Sequence, residues 1–406
     1  MKEIKFIHGA DLHLDSPMIG LSHLPKNIFH RLQESTFQAL KALVDHAIRN
    51  QVDFVVLAGD LFDNEDRSIR AQTRLRKEFE RLEKEGIEVF LVFGNHDHMG
   101  GSWVHVAMPK NVQIFGGEVE AKKFVSTKGA TVFLYGFSYL KRHTFNKRID
   151  GYMKANDGDF HVAMLHGNLE GNVEHGNYAP FQLKDLLEKE FDYWALGHIH
   201  KRAVLHEDPL VVYPGNTQGR NKKEKGPKGC YLVTLNENGQ HLDFMETSDC
   251  IWSDIIIDGA SFQSFDHLYE ACKEKVLDIR VEGKGVLTEI TVENVSPDFA
   301  NPSLAADLLD VLQEEEKEEV SFVWPVQINI NNSFQWDREN LAKESNFFHE
   351  LFDIIDENKE LEDSLTPLYK HHLGRKFLTS LTEEELEELK KDAERYLIEQ
   401  LLMNES

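Results

Sequence analysis

Three short apolar runs, at residues 4–9, 54–58 and 87–93, are separated by two long stretches, 26–50 and 67–85, in which apolar and charged residues recur at helical spacing. That strand–helix alternation restricts the chain to layered α/β architectures. Five more strand-like runs follow at 131–137, 160–165, 193–196, 210–213 and 229–235, with Gly and Asn between them. The pattern predicts a sandwich of two sheets flanked by helices over residues 1–235. From about 240 the texture changes. Runs at 253–258, 286–293 and 326–330 read as strands and those at 262–277 and 303–317 as helices. They predict a small α+β capping domain over 236–330, followed by a helical region over 331–406.

The net charge of −25 is unevenly spread. Residues 1–235 hold 31 Lys and Arg against 30 Asp and Glu, residues 236–330 hold 5 against 21, and residues 331–406 hold 9 against 19. The excess acid therefore lies outside the sandwich, and bound cations would make the sandwich more positive. Cys230, Cys250 and Cys272 fit no ligand spacing and read as reduced structural thiols. No stretch approaches a membrane span, and the first residues run straight into a strand, so the expected setting is cytoplasmic.

Five motifs carry the chemistry: Asp11-Leu12-His13, Gly59-Asp60, Gly94-Asn95-His96-Asp97, His166-Gly167-Asn168 and Gly197-His198-Ile199-His200. Each follows an apolar run, and strand ends in an α/β sheet converge on one edge. Asp11 and His13 are two apart, as are His198 and His200, so in extended backbone each pair faces one way. Asp11, His13, Asp60, Asn95, His166, His198 and His200 make seven oxygen and nitrogen ligands without a thiolate. Such a set suits Mn²⁺, Fe or Zn²⁺, and seven ligands are too many for one ion. Two ions about 3.5–4 Å apart, with Asp60 as the shared carboxylate, can drive in-line displacement at phosphorus. His96 is spare. Its expected role is to protonate the leaving oxygen, with Asp97 orienting the ring.

These motifs resemble the calcineurin-like metallophosphoesterases. Within them the chain resembles the SbcD-type DNA repair exonuclease family, bacterial relatives of the eukaryotic and archaeal meiotic-recombination nuclease. Phe6-Ile7-His8-Gly9-Ala10-Asp11-Leu12-His13-Leu14-Asp15-Ser16-Pro17, Gly59-Asp60-Leu61-Phe62-Asp63 and Tyr213-Pro214-Gly215-Asn216 are similar to the YhaO-like branch. The resemblance is specific over 1–235. It implies Mn²⁺ as the working ion, the same seven ligands, His96 as the catalytic histidine, and DNA as substrate. It also implies an SbcC-like ATPase partner bound through helices after the capping domain, and members of the family often form homodimers. One departure is that the archaeal and eukaryotic branch has a histidine at the position of Asp63.

Two basic clusters could hold phosphates, one with Arg142, Lys147 and Arg148, the other with Arg220, Lys222 and Lys223. Near the C-terminus, Thr382 to Glu385 has capping-box spacing. Leu386, Leu389, Ala393, Tyr396, Leu397 and Leu401 then form one apolar stripe, suited to docking the ATPase or to packing on this chain or a sister subunit. Three functions stay open: a DNA phosphodiesterase working with an ATPase, a phosphoesterase for a nucleotide or other small molecule, and a metal-containing binding module without catalysis.

Overall fold

Successive side chains of a strand point to opposite faces, so a strand buried on both sides feeds two cores. In Phe54–Ala58, Phe54 and Val56 enter one apolar cluster while Val55 and Leu57 enter another. The computed structural model describes residues 2–64, 67–143, 147–170, 178–296, 302–332, 337–357, 361–371, 381 and 383–405. The chain begins β1 (Glu3–Gly9), α1 (Lys26–Arg49), β2 (Phe54–Ala58), α2 (Ile69–Lys84), β3 (Glu88–Val92), β4 (Val112–Ile114). It continues β5 (Glu120–Val125), β6 (Thr131–Gly136), β7 (Phe160–His166), α3 (Leu183–Leu187), β8 (Tyr193–Gly197), β9 (Ala203–Glu207), β10 (Leu210–Tyr213), β11 (Gly229–Asn236) and β12 (Gly239–Glu246).

Two six-stranded sheets result, ordered β12-β11-β1-β2-β3-β4 and β5-β6-β7-β8-β10-β9. In the first, β1 through β4 are parallel and β11 and β12 antiparallel; in the second, β6, β7, β8 and β10 are parallel while β5 and β9 run against their neighbours. Their facing sides close over Phe6, Phe54, Phe90, Val162, Met164 and Tyr193. Beneath the first sheet, Leu40, Leu43 and Val44 of α1 and Leu75, Phe79 and Leu82 of α2 cover Val55 and Leu57. The expected two-sheet sandwich is thus the observed fold. The helix expected at 67–85 begins at Ile69, because Ser68 caps it: its side chain accepts from the Ala71 amide.

The chain divides into two compact units. The first comprises Met1–Ile255, Lys273–Glu289 and Leu309–Gln327; the second comprises Ile256–Cys272, Ile290–Leu308 and Ile328–Ser406. Elements after the sandwich are β13 (Cys250–Asp258), α4 (Phe265–Asp278), β14 (Gly285–Val295), α5 (Pro302–Glu316) and β15 (Val323–Asn332), with the three strands forming a sheet in that order. Within the first unit, Cys250, Trp252, Leu287, Phe322 and Trp324 pack on Ile28 and Leu32 of α1. Arg31 of α1 pairs with Asp249 at 3.0 Å and donates to the carbonyls of Gly283 and Val320. All three cysteines are free and buried, as the sequence suggested.

Helices α6 (Arg338–Glu344), α7 (Asn346–Glu357), α8 (Leu361–Lys370) and α9 (Glu383–Glu405) follow, all in the second unit. Here the expected stripe divides between packed and exposed residues. Helix α9 buries Ile398 against Phe348 and Phe352 of α7, with Leu401 and Leu402 beside it. Leu389, Ala393, Tyr396 and Leu397 are exposed. The helix has apolar residues on two sides, and spacing alone does not say which side α7 covers. Thr382, the proposed cap, lies outside the described residues. Among the described residues no helix is long and apolar enough to cross a membrane.

Phe54 stacks on Phe6 with centroids 4.9 Å apart and meets Phe90 and Phe124 edge-on. Replacing it with Ala removes the shared partner of three rings. The expected loss is about 3–5 kcal/mol, read as a lowered urea midpoint in Phe54→Ala against the parent protein.

Candidate metal centre

The five motifs meet where parallel strands of both sheets end. Asp11 and His13 follow β1, Asp60 follows β2, Asn95 and His96 follow β3, His166 closes β7, and His198 and His200 follow β8. Their side chains fall into overlapping groups whose ligand atoms lie within 4.8 Å of one another: Asp11, His13 and His200; Asp60, His166 and His198; and His13, Asp60 and His96. Asn95 joins the second group, its Oδ1 lying 3.0 Å from Nε2 of His166 and 3.2 Å from Nδ1 of His198. Asp60 stands between them. Its Oδ2 is 3.3 Å from Nε2 of His166 and 3.9 Å from Nε2 of His13. All seven expected ligand residues are therefore brought together.

Neither pair lies in the extended backbone expected of it. Asp11, His13, Asp60 and His198 have φ of 52°, 43°, 51° and 98°, in the left-handed region that non-glycine residues seldom occupy. The strands have ended, and each residue turns sharply to aim its side chain. As a result Asp11 and His13 share one group, but His198 and His200 go to different groups. The turns are held by the backbone: the Asp11 amide donates to the Gly59 carbonyl at 3.1 Å and the His13 amide to the Asp60 carbonyl at 3.0 Å.

Hydrogen bonding fixes which ring nitrogens face inward. Nδ1 of His166 lies 2.9 Å from the Ala58 carbonyl, which only accepts, so that nitrogen carries the hydrogen. With Nδ1 committed, Nε2 is the atom turned to the Asp60 carboxylate and the Asn95 oxygen, free to give a proton to them or a lone pair to a cation. Nδ1 of His200 donates to Glu224 at 2.6 Å, and Nδ1 of His13 lies 3.3 Å from Asp63 Oδ1. Their two Nε2 atoms face each other at 3.1 Å. Such convergence of electron-rich atoms is what divalent cations require, and the nitrogen and carboxylate donors suit them.

The buried carboxylates demand positive charge at this place, from a ring or from a cation. Burial works against charge on His166, but Asp60 and Asp11 outweigh it and push it up to about 9. Burial alone would raise Asp60; His166, His13 and His96 hold it well below the ordinary carboxylate range. Asp11 is pushed up to about 6, by burial above all and also by the negative charge of Asp60. Burial, with Arg220 and His200 nearby, drives His13 well down.

His96 lies at the edge of this cluster. Its amide donates to Asp60 Oδ1 at 2.9 Å, and its Nδ1 donates to the Asp63 carbonyl at 2.8 Å, leaving Nε2 as the presented atom. Asp97, expected to orient that ring, is occupied elsewhere. Its carboxylate accepts from the amides of Leu61 and Gly94, both at 2.8 Å, and so ties two motif loops together.

Asp63, expected only as a departure from the archaeal and eukaryotic branch, sits behind His13. Two residues were not expected at all: Glu224 behind His200, and Arg67 beneath the Asn95 loop. The Arg67 guanidinium lies between the rings of Phe93 and Trp103, 3.9 and 3.7 Å from their centroids, and donates to the carbonyls of Asp97 and His98. Burial lowers it to about 10 despite Asp97. No spacing signal marks Glu224 or Arg67, since each acts across tens of residues.

The expected phosphate clusters are largely matched by local acids. Lys147 pairs with Asp185 at 2.6 Å, Arg148 with Glu118 at 3.0 Å, Lys222 with Glu289 at 3.0 Å, and Arg220 with Asp63. Arg142 and Lys223 are exposed. Of the six, Arg220 is the one paired to a residue that also touches a ligand, His13.

The Calcineurin-like phosphoesterase family matches residues 4–202. The chain is 40% identical to the metallophosphoesterase YhaO of Bacillus subtilis, over 99% of this chain and 98% of the relative. It is 27% identical to the DNA double-strand break repair protein Mre11 of Methanocaldococcus jannaschii, over 66% of this chain and 74% of that protein. With the protein of the same name from Methanococcus maripaludis the identity is 24%, over 89% of this chain and 97% of the relative.

A Cβ added at Gly94 would lie 2.3 Å from Asp60 Oδ1 and 2.6 Å from His166 Nε2. Gly94→Ala is expected to keep its far-UV circular dichroism spectrum but to displace both side chains. Hydrolysis of bis-p-nitrophenyl phosphate should fall by about 100-fold, the usual cost of misplacement by an ångström.

Proposed function

Because the chain belongs to the calcineurin-like metallophosphoesterase family, we propose that it is a Mn²⁺-dependent phosphodiesterase that cuts DNA in DNA repair. The family's chemistry is metal-dependent phosphoester hydrolysis with two divalent ions. The observation that carries the reading is the pair of ligand groups on either side of Asp60, with Nε2 of His96 presented beside them. In this reading Asp11, His13 and His200 would hold one ion and Asn95, His166 and His198 the other, with Asp60 available to either. When bound, the ions supply Lewis acidity to the phosphoryl oxygens and make water a better nucleophile.

The protein's own part is to orient and to move a proton. Backbone carbonyls and carboxylates keep the Nδ1 hydrogens of His166, His200 and His96 turned outward. His96, in its charged form, gives the Nε2 proton to the leaving oxygen. Support for DNA comes from the relatives named as double-strand break repair proteins. The acid-paired lysines and arginines favour a second reading, a smaller phosphodiester substrate, because DNA phosphates would have to compete with Asp185, Glu118 and Glu289 for them.

Purified protein assayed with Mn²⁺ on single-stranded DNA, double-stranded DNA and bis-p-nitrophenyl phosphate separates the two. Cleavage of the small ester alone sinks the DNA reading, and full activity in excess EDTA sinks the metal reading. His96→Asn is expected to keep its metal content and to lose turnover by roughly 10²–10⁴; metal loss in step with activity would make His96 a ligand instead.

An ATPase partner is the remaining part of the proposal. The exposed face of α9, with Leu389, Ala393, Tyr396 and Leu397, is the proposed docking stripe for an SbcC-like ATPase. Deleting 378–406 should abolish co-purification with that ATPase while Mn²⁺-dependent hydrolysis persists. A truncated chain that still binds it refutes the docking role.

A further inference from the structure

The loop after β10 brings a carboxylate to the back of one ligand group. Glu224 Oε1 accepts from Nδ1 of His200 at 2.6 Å. Its other oxygen accepts from the Arg220 amide at 2.7 Å and from Nδ2 of Asn216 at 2.9 Å. Its side chain is only 10% exposed. Both carboxylate oxygens are thus engaged.

We infer that Glu224 is a positioning residue that sets the affinity of the Asp11–His13–His200 group for its divalent ion. By taking the Nδ1 hydrogen it fixes the His200 tautomer with the Nε2 lone pair turned toward His13, 3.1 Å away. Its negative charge makes that lone pair a stronger donor. His166 is held differently. The inward nitrogen of His166, in the other group, is set by a neutral backbone carbonyl, that of Ala58. Removing the Glu224 charge should therefore weaken one ion and spare the other.

The same loop supports the second histidine of this group. Arg220, whose amide Glu224 holds, pairs through its side chain with Asp63, and Asp63 Oδ1 lies 3.3 Å from Nδ1 of His13. Loop, carboxylate and arginine thus lie behind both histidines of this ligand group.

The inference rests on the two-ion reading above, and calorimetry keeps the two apart. Metal-free parent protein and Glu224→Gln are titrated with MnCl₂, and both are melted without metal to confirm folding. Two binding events are expected in the parent. In the variant one should weaken by about 10- to 100-fold, the usual cost of losing such a partner, with the other unchanged. Two events in the parent and the same two affinities in the variant, or an equal loss at both, overturn this inference alone. A parent that takes up no Mn²⁺ overturns the two-ion reading and this inference with it. Should Glu224→Gln not fold, Glu224→Asp carries the test. With its charge kept one methylene short, it should weaken the same event by less than tenfold; equal weakening of both events overturns the inference.

Discussion

Everything at the strand ends depends on keeping one buried carboxylate, Asp60, beside the imidazoles of His13, His96 and His166. A charge removed from water is costly unless it is paired. Here the compensation comes from side chains that must approach within hydrogen-bond range of one another, and the backbone has to make room. It does so with glycine. A Cβ at Gly59 would lie 2.3 Å from His166 Nδ1, and Gly94 packs against the same ring from another side. Gly59 and Gly94 are therefore spacers, and the histidine they admit is the one that meets Asp60.

Crowding also explains the backbone strain. Asp11, His13, Asp60 and His198 all adopt positive φ, each at a cost of order 1 kcal/mol or more. Parallel strands bonded on both sides supply the rigidity that holds them there. Leu57 and Ala58 of β2 are wholly buried, and the strand pairs with β1 and β3 along its length. A looser scaffold would relax these residues and scatter the ligands. Strain collects where five strand ends are made to share one small volume.

Much of this was legible in the sequence, for a physical reason. Each motif follows an apolar run buried on both faces, so strand, turn and ligand appear as one unit in the chain. The eight runs read as strands in the sandwich correspond to β1, β2, β3, β6, β7, β8, β10 and β11. The four strands that were not read, β4, β5, β9 and β12, are the sheet margins. They bury little: along β5 the residues are mostly exposed, and β4 has no buried residue. Without an apolar run they leave no periodic signal. Glu224 escaped notice differently. Between Lys222, Lys223 and Lys225 it looks like one charge in a mixed loop, and only folding sets it against His200, 24 positions away. The direction taken by each ligand was also hidden, since spacing of two means one face only while the backbone stays extended.

The margins that sequence reading overlooked have a further effect. An unpaired strand margin is a template on which another polypeptide can grow by backbone hydrogen bonding. In this sandwich β4 is three residues long, β9 is five, β5 carries Glu120, Lys122 and Lys123, and β12 carries His241, Asp243 and Glu246. A strand laid alongside would find either too few amides to grip or charges to strip of water. The polarity that makes these segments faint as strands also makes the sandwich a poor seed for sheet extension.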